Sequence, residues 1–177
     1  MRTTIEKIDF DAQQPFDTYR DMDIYPTVVW RGYMAAAIEK IYSSIAAGFL
    51  FTDLSHQSVL LFQRSRLVMN SGVWSVPGGR RYSNQGCLIT ALRETKEEAG
   101  FLPNGKIIME PYVWHKPDGR SQFQYHTFIF EVTDPSGYHP RLNWEHADAQ
   151  WCNLSSLPNR THVGVQEVLK NSGHFSI

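Results

Sequence analysis

The 177-residue sequence has no excess of charge of either sign, few cysteines and no long apolar run. Its 17 Lys and Arg residues are balanced by 18 Asp and Glu residues, which gives a formal net charge of -1. Generic nucleic-acid binding depends on an excess of basic residues, so we expect no nucleic acid polymer as a partner. No apolar run reaches the roughly 18 residues of a membrane-spanning helix, and the first residues lack the apolar region of a secretory signal. We therefore expect a cytoplasmic protein without a membrane partner.

Cysteine is also too scarce for a disulfide framework. Cys87 and Cys152 are the only cysteines, and they are too far apart in sequence to form a Cys-x-x-Cys pair. We interpret both as small hydrophobic residues that stay reduced in the cytoplasm. The hydrophobic fraction of 42% and the charged fraction of 20% are those of a globular protein. A chain of this length provides enough residues for one domain.

The chain divides into an N-terminal extension, residues 1–43, and a domain over residues 44–177. The extension mixes aspartates, prolines and aromatic residues without a regular period, so we assign it no confident structure. Within it, three consecutive alanines favour a short helix between residues 34 and 42. In the domain, apolar runs of strand length precede and follow a helical segment, and a second helix ends the chain. This order is typical of a mixed α/β domain. We predict strands at 45–51, 59–64, 73–76, 107–114, 125–132 and 149–154, and helices at 86–99 and 162–170.

Three carboxylates crowd together on the central helix. At 100° per residue, Glu94, Glu97 and Glu98 project within about 100° of one another, away from the apolar stripe. Like charges at this spacing destabilise a helix, and the helix dipole disfavours anions near the C-terminus. Removing one of these charges is therefore expected to preserve folding or to improve it slightly. The apolar stripe, which we expect to pack on the sheet, consists of Leu88, Ala91, Leu92, Thr95 and Ala99.

The crowding of these carboxylates has two explanations. One is a solvated acidic face on a surface helix, which is common. The other is a divalent cation that offsets the repulsion. Ligands that offer only oxygen suit Mg²⁺ or Mn²⁺ better than zinc.

The residues around this helix resemble the signature of the Nudix hydrolases, G-x5-E-x7-R-E-U-x-E-E-x-G-U, in which U is a bulky apolar residue. The resemblance covers about residues 44–170. Two positions depart from the pattern: Gln85 replaces its first Glu, and Thr95 replaces an apolar residue. The matching positions are Gly79, Arg93, Glu94, Glu97, Glu98, Gly100 and Phe101.

The resemblance implies an enzyme that hydrolyses the diphosphate linkage of a nucleotide derivative with Mg²⁺, for which Mn²⁺ could substitute. It also implies an α/β/α sandwich with a mixed sheet and a loop-helix-loop metal site. The substrate could be a nucleoside triphosphate, a nucleotide sugar or an ADP-ribose-like molecule. Pro117, 16 residues past Phe101, resembles a family marker for ADP-ribose and slightly favours that group. Because family members often form dimers, a homodimer is a further expectation.

The resemblance further assigns metal-binding residues. The principal ligands would be Glu97 and Glu98. Gly79 would let the loop backbone approach the metal or a phosphate, because a Cβ there could obstruct it. The metal site implied in this way comprises Gly79, Glu94, Glu97 and Glu98.

The same resemblance leaves the catalytic base open between two residues. Glu94 would be either a further metal ligand or the base that deprotonates water, and Arg93 would orient a neighbouring carboxylate through a two-pronged contact. Glu145, in an acidic loop before the last strand, matches a family position that often supplies one more carboxylate. Gln85 raises an alternative function, because an uncharged amide cannot act as a base and is a weak metal ligand. In that alternative the chain is a Nudix-fold nucleotide-binding domain with weak or no activity.

Two further sets of side chains could line a binding site. The seven histidines include no pair with strong zinc spacing, so those near the motif are either site residues or ordinary partly buried imidazoles. Aromatic residues could stack on a nucleobase, although core packing is their more usual role. The histidines are His115, His126 and His146, and the aromatic residues are Tyr112, Trp114, Phe123 and Trp144.

Overall fold

The computed structural model describes residues 45–82, 84–116 and 123–175, and also the backbone of residues 9 and 10. The helix predicted at 34–42 and the marker Pro117 lie outside these residues. The described strands are β1 (Asp9–Phe10), β2 (Ile45–Asp53), β3 (Ser58–Arg64), β4 (Trp74–Ser75), β5 (Gly78–Arg80), β6 (Gly105–Ile107), β7 (Tyr112–His115), β8 (Gln124–Val132) and β9 (His146–Asn153). The helices are α1 (Cys87–Ala99), a short 3₁₀ helix (Leu154–Ser156) and α2 (Val163–Asn171).

The described strands form one mixed sheet with β2 near its centre. Strand β2 runs parallel to β8 and antiparallel to β3 and β5. Strands β6 and β7 both pair with β8, and β4 and β9 both pair with β3. The two-residue strand β1 pairs antiparallel with β6, so this part of the N-terminal extension lengthens the sheet of its own chain.

The two helices cover opposite faces of the sheet, because side chains alternate between the faces of a strand. In β2, Phe49 and Phe51 pack with α1, whereas Leu50 between them packs with α2. The result is the α/β/α sandwich that the sequence predicts.

Helix α1 has the predicted apolar stripe, with one exception. Ala91, Leu92, Thr95 and Ala99 are buried, and Leu88 is half-buried against the same cluster. The helix ends at Gly100, whose φ of 82° belongs to the left-handed region that glycine tolerates. Its backbone N–H donates to the carbonyl of Lys96, and the predicted end of the helix at residue 99 is confirmed.

The prediction of one strand over residues 107–114 is wrong. The structure divides this segment into β6 and β7, and both pair with β8. Pro111 immediately precedes β7, and proline has no N–H with which to continue a ladder. The other strands are confirmed with shifts at their ends, the largest at β9, which begins three residues before its predicted start at Ala149.

Both cysteines are free, as expected, but only Cys152 is fully buried. Cys87 is half-buried at the first residue of α1. Among the residues that the structure describes, no helix is long and apolar enough to cross a membrane.

Candidate active site

Glu98 is the most enclosed carboxylate of the acidic group. Its side chain is 6% exposed, so the interpretation of all three glutamates as a solvated face is wrong for this residue. Its Oε2 accepts hydrogen bonds from the backbone N–H of Gly78, at 3.0 Å, and from Nε2 of His146, at 2.8 Å. Among the described residues no donor contacts Oε1. One carboxylate oxygen is therefore fixed by the protein, and the other remains available to a ligand.

Helix geometry explains why Glu98 is buried. It lies seven residues after Ala91, and seven steps of about 100° return to within about 20° of the same direction. Ala91 is fully buried on the sheet-facing side. Glu98 therefore lies at the edge of the apolar stripe, whereas Glu97 projects outwards with 52% of its side chain exposed. The angle of each residue around the helix, calculated from the sequence alone, would have shown that Glu98 points closer to the apolar stripe than Glu97 does.

His146 is a functional candidate that sequence reasoning left open. Its side chain is 1% exposed, its ring packs edge-on against Phe62, and its Nδ1 is buried without a hydrogen-bond partner among the described residues. If Nε2 carries the proton, it donates to Glu98 and leaves Nδ1 as the unpaired acceptor. A buried polar atom without a partner carries a free-energy cost, so packing alone does not explain a histidine here.

Arg93 organises the exposed side of the site. Its guanidinium donates to Glu94 at 2.6 Å and to Glu97 at 3.0 Å. Arg93 therefore contacts two carboxylates, where the resemblance implies one, and its role in orienting them for catalysis stays a prediction. The other contacts of Arg93 are the carbonyl of Arg80 at 3.1 Å, Oε1 of Gln85 at 3.4 Å and the ring of Tyr82, whose centroid lies 4.3 Å from the guanidinium carbon.

Burial raises the pKa of Glu94 from its ordinary value of 4.5 to about 7. The nearby charges of Glu98 and Glu97 act in the same direction, and the Arg93 guanidinium opposes them. The side chain is only 12% exposed, which agrees with a large cost of removing water from the charged form. A carboxyl group that titrates near neutrality can accept a proton from water and release it again.

Gly79 brings the β5 backbone against the helix carboxylates. A Cβ at this position would overlap the carboxylate of Glu94. Strand pairing with Ala47 of β2 fixes the loop here, so the loop could not move away to relieve the overlap. The resemblance implies that Gly79 lets the backbone approach a metal or a phosphate, and this role stays a prediction. The group next to Gly79 in the structure is the Glu94 carboxylate.

Tyr125 is a second residue whose position the sequence did not reveal. Its buried hydroxyl lies so close to Gly48 and Gly78 that a Cβ on either glycine would overlap it. Burial raises the pKa of this hydroxyl, and the negative charges of Glu98 and Glu94 raise it further. The hydroxyl therefore stays protonated. It lies against Gly78, whose N–H donates to Glu98.

A cavity of about 300 Å³ lies next to these carboxylates. Gly78 connects the cavity with the carboxylates, because it lines the cavity and its N–H donates to Glu98. Trp114 and Phe123 supply aromatic walls, and their ring centroids lie 6.5 Å apart. The remaining lining residues are Arg64, Asn70, Ser75, Val76, Lys116, Tyr125, Thr127, His162, Gly164 and Val165.

The structure does not bring every predicted residue to the cavity. Trp144 is 62% exposed, and Tyr112 packs with the cluster beneath α2. His115 is exposed, whereas His126 is half-buried and has a lowered pKa caused by burial and by the charge of Arg81. Trp114 and Phe123 remain as the aromatic candidates of the cavity.

Glu145 lies in the loop before β9, and none of its hydrogen bonds among the described residues reaches a carboxylate of α1. Its backbone N–H donates to Oδ1 of Asn143, and its carbonyl accepts from the N–H of Ser65. The side chain that reaches Glu98 from this loop is that of the next residue, His146. The loop is therefore at the site, and the role of the Glu145 carboxylate stays a prediction.

The donor set fits a hard divalent cation in its chemistry. It consists of carboxylate oxygens, one of them on a buried Glu98 with an uncontacted Oε1, and Gly79 leaves the loop backbone close to Glu94. Within the described ranges, no three His, Cys, Asp or Glu side chains are already gathered as a metal cluster. Ion pairs with Arg93 engage Glu94 and Glu97, so ligation by both would require these pairs to rearrange.

Comparison with known proteins identifies a family for this chain. A family model described as the NUDIX domain matches residues 43–171. No curated protein matches the chain. Among solved structures, a MutT NUDIX hydrolase from Burkholderia pseudomallei is similar with 20% identity and a TM-score of 0.53, over 71% of this chain and 95% of that one.

Two further structures show the same fold. A Nudix hydrolase from M. smegmatis, RenU, is 26% identical with a TM-score of 0.52, over 70% of this chain and 79% of that one. A bifunctional NMN adenylyltransferase/ADP ribose pyrophosphatase from Francisella tularensis is 20% identical with a TM-score of 0.57. That likeness covers 73% of this chain but only 42% of the bifunctional one.

Proposed function

The chain belongs to the NUDIX domain family, whose members are hydrolases that generally cleave pyrophosphate bonds in nucleotide derivatives, and from this premise we propose a Mg²⁺-dependent diphosphate hydrolase. Its substrate is a nucleotide derivative of the nucleoside triphosphate, nucleotide-sugar or ADP-ribose type. One observation carries the proposal: the acidic group of Glu94, Glu97 and Glu98 lies next to a cavity with aromatic walls. This arrangement suits a molecule with a diphosphate at one end and a flat ring at the other.

Residues of α1 and of the loop before it would hold the metal. Glu98 would offer its uncontacted Oε1, Glu97 its exposed carboxylate, and Glu94 an oxygen beside Gly79. When bound, Mg²⁺ neutralises diphosphate oxygens and lowers the pKa of water; Mn²⁺ can substitute for it. Because Glu98 is fixed by Gly78 and His146, one ligand is already oriented.

The base that receives a proton from the attacking water is Glu94 or Glu145. Glu94 is supported by its pKa of about 7, which lets it accept a proton near neutral pH. Glu145 is supported by its place in the loop that also carries His146. Arg93 positions Glu94 through the bond of 2.6 Å and is not itself a proton carrier, because a guanidinium stays charged.

The experiment that tests the proposal is a substrate panel. The purified protein is incubated with nucleoside triphosphates, nucleotide sugars, ADP-ribose and dinucleoside polyphosphates, each with Mg²⁺, with Mn²⁺ and with EDTA. We expect phosphate-containing products from at least one diphosphate substrate, and none with EDTA. Binding without any product in either metal would instead identify the chain as a nucleotide-binding domain.

Gln85 is the departure from the family pattern, and the structure gives it a contact. Its amide oxygen lies 3.4 Å from Nε of Arg93, so this residue acts on the carboxylates through the guanidinium that pairs with them. The long hydrogen bond that Arg93 donates to this neutral amide oxygen holds the guanidinium only weakly. Arg93 is therefore left to make its shorter bonds with Glu94 and Glu97.

Replacing Gln85 with glutamate is expected to lower the Mg²⁺ concentration for half-maximal rate. A carboxylate at this position would compete for Arg93 through a charge-assisted bond and release Glu97 for the metal. It also adds an anion next to the N-terminus of α1, which the helix dipole favours by about 0.3–1 kcal/mol. The measurement is a Mg²⁺ titration of the rate, with Gln85→Ala as the matched control. An unchanged midpoint and KM in both variants would show that Gln85 has no part in the site.

Replacing His146 with phenylalanine is expected to weaken metal binding by about 10- to 100-fold. Phenylalanine preserves the ring packing on Phe62 but removes the donor to Glu98. Binding of Mn²⁺ by electron paramagnetic resonance gives a readout that needs no turnover. His126→Phe is the control, because this half-buried histidine has no described bond to the carboxylates. Equal Mn²⁺ affinity in wild type and His146→Phe would mean that His146 does not orient Glu98.

A further inference from the structure

The Tyr125 side chain crosses the sheet from β8 to the backbone that contacts Glu98. The Tyr125 backbone pairs with Ala46 of β2, whereas its hydroxyl lies against Gly48 of β2 and Gly78 of β5. Gly48 and Gly78 pair with each other, two positions along β2 from Ala46. The side chain therefore runs diagonally over β2, and its hydroxyl ends on this glycine pair.

The two glycines make this crossing possible. A Cβ on Gly48 or on Gly78 would overlap the Tyr125 hydroxyl, and a Cβ on Gly48 would also overlap the carbonyl oxygen of Pro77. A glycine inside a strand weakens the strand, and it is typical of places where another group approaches the backbone closely. Gly48 lies inside β2, near the centre of the sheet. The close approach of the hydroxyl and of the Pro77 carbonyl is a physical reason for a glycine at this position.

Gly78 lies between Tyr125 and Glu98. Tyr125 packs with the cluster beneath α2, whereas Glu98 belongs to α1 on the opposite face of the sheet. The hydroxyl lies close to the place that a Cβ on Gly78 would occupy, and the N–H of Gly78 donates to Oε2 of Glu98 at 3.0 Å. One backbone residue therefore contacts the tyrosine on one side and the buried carboxylate on the other.

The bonds of β2 hold Gly78 within the plane of the sheet. Gly78 pairs with Gly48, and the carbonyl of Pro77 accepts the N–H of Phe49 at 3.3 Å. Bonds between strands run in the plane of the sheet, so they oppose a displacement perpendicular to it only weakly. The Tyr125 hydroxyl blocks displacement of Gly78 towards α2. That displacement would move the N–H away from Glu98 and lengthen their hydrogen bond.

We propose that Tyr125 is a positioning residue of the metal site: its hydroxyl holds the Gly78 backbone against Glu98, and Gly78 in turn fixes Oε2 and leaves Oε1 for the metal. The inference rests on the proposed hydrolase function, because it treats Glu98 as a metal ligand. Residues that orient a ligand without touching the metal typically change metal affinity by about 10- to 100-fold when they are replaced. Tyr125 acts through Gly78, so its effect belongs at the lower end of this range.

The test uses Tyr125→Phe, which removes the hydroxyl and keeps the ring over the glycine pair. Hydrogen exchange of the Gly78 amide is measured by nuclear magnetic resonance in EDTA, and Mn²⁺ binding is measured by electron paramagnetic resonance. We expect the Gly78 amide to lose part of its protection and Mn²⁺ to bind about tenfold more weakly. Excess Mg²⁺ should restore kcat, and KM should stay unchanged.

Tyr138→Phe is the matched control for the loss of a buried tyrosine hydroxyl. Tyr138 is buried, and its hydroxyl donates to the carbonyl of Phe101 at 2.9 Å, without a described contact to Gly78 or Glu98. This variant should lose stability because a buried hydrogen bond is removed, but its Gly78 exchange and Mn²⁺ affinity should equal those of wild type. Circular dichroism melts of both variants show that they are folded and separate a general loss of stability from a change at Gly78.

Several results would overturn the inference. Equal Gly78 exchange or equal Mn²⁺ affinity in wild type and Tyr125→Phe would show that the hydroxyl does not position Glu98. A raised KM with unchanged Mn²⁺ affinity would instead assign the hydroxyl a direct contact with the substrate. If wild type binds Mn²⁺ but gives no product in the substrate panel, the hydrolase function fails while the inference stands on the two binding readouts. If wild type binds no Mn²⁺, both fail.

Discussion

Replacing Glu98 with glutamine is expected to lower kcat by at least about 100-fold, the scale of losing charge stabilisation at a metal site. The same loss is expected for Glu97→Gln, because both carboxylates belong to the proposed ligand set. Rates are measured at saturating substrate over a Mg²⁺ series. Glu110→Gln, at an exposed glutamate outside the acidic group, is the control. Full activity of both site variants in Mg²⁺ would mean that the metal is held elsewhere.

The two variants should differ in stability, which corrects the expectation that removing either charge is harmless. Glu98 is buried and accepts two hydrogen bonds, so a neutral amide there weakens the bond from His146 and should cost about 1–3 kcal/mol of unfolding free energy. Glu97 is 52% exposed and loses only a surface pair with Arg93, worth about 0.2–0.5 kcal/mol. Urea unfolding without metal measures both values. Equal stabilities would contradict the buried position of Glu98.

Comparing Glu94→Gln with Glu145→Gln is expected to identify the base. Loss of the base should lower kcat by roughly 10²- to 10⁴-fold, and added metal should not restore it. If the other glutamate is a ligand, excess Mg²⁺ should partly rescue its variant. The raised pKa of Glu94 in the metal-free protein, about 7, supports Glu94 as the base. A kcat unchanged in Glu94→Gln would exclude it.

The raised pKa of Glu94 also predicts a pH dependence of folding. Its pKa rises from 4.5 to about 7 on folding, so between these values the folded protein binds a proton that the unfolded chain has lost. The unfolding free energy of the metal-free protein should therefore fall as the pH rises through this range. Glu94→Gln should reduce this slope. Denaturant unfolding in EDTA over the same pH range provides the measurement, and an identical slope in the variant would contradict the shift.

Much of the acidic site could be predicted because its residues are close in sequence. Glycine stops a helix by its own backbone preferences, so Gly100 marked the end of α1 before any tertiary contact was known. Helical spacing alone placed Glu94, Glu97 and Glu98 within reach of one another. The expectation that all three glutamates project away from the apolar stripe was wrong for Glu98, which lies at the edge of that stripe.

The sequence by itself thus determined the family and the acidic helix, which depend on a local motif and on helical spacing. Only the tertiary structure decided that His146 contacts Glu98 across 48 positions of sequence, and that Arg64, Trp114 and Tyr125 border one cavity. These contacts depend on the parallel pairing of β2 with β8 and on the register of β3 with β9. Strand register between distant segments is set by how whole faces pack, and no local pattern along the chain specifies it.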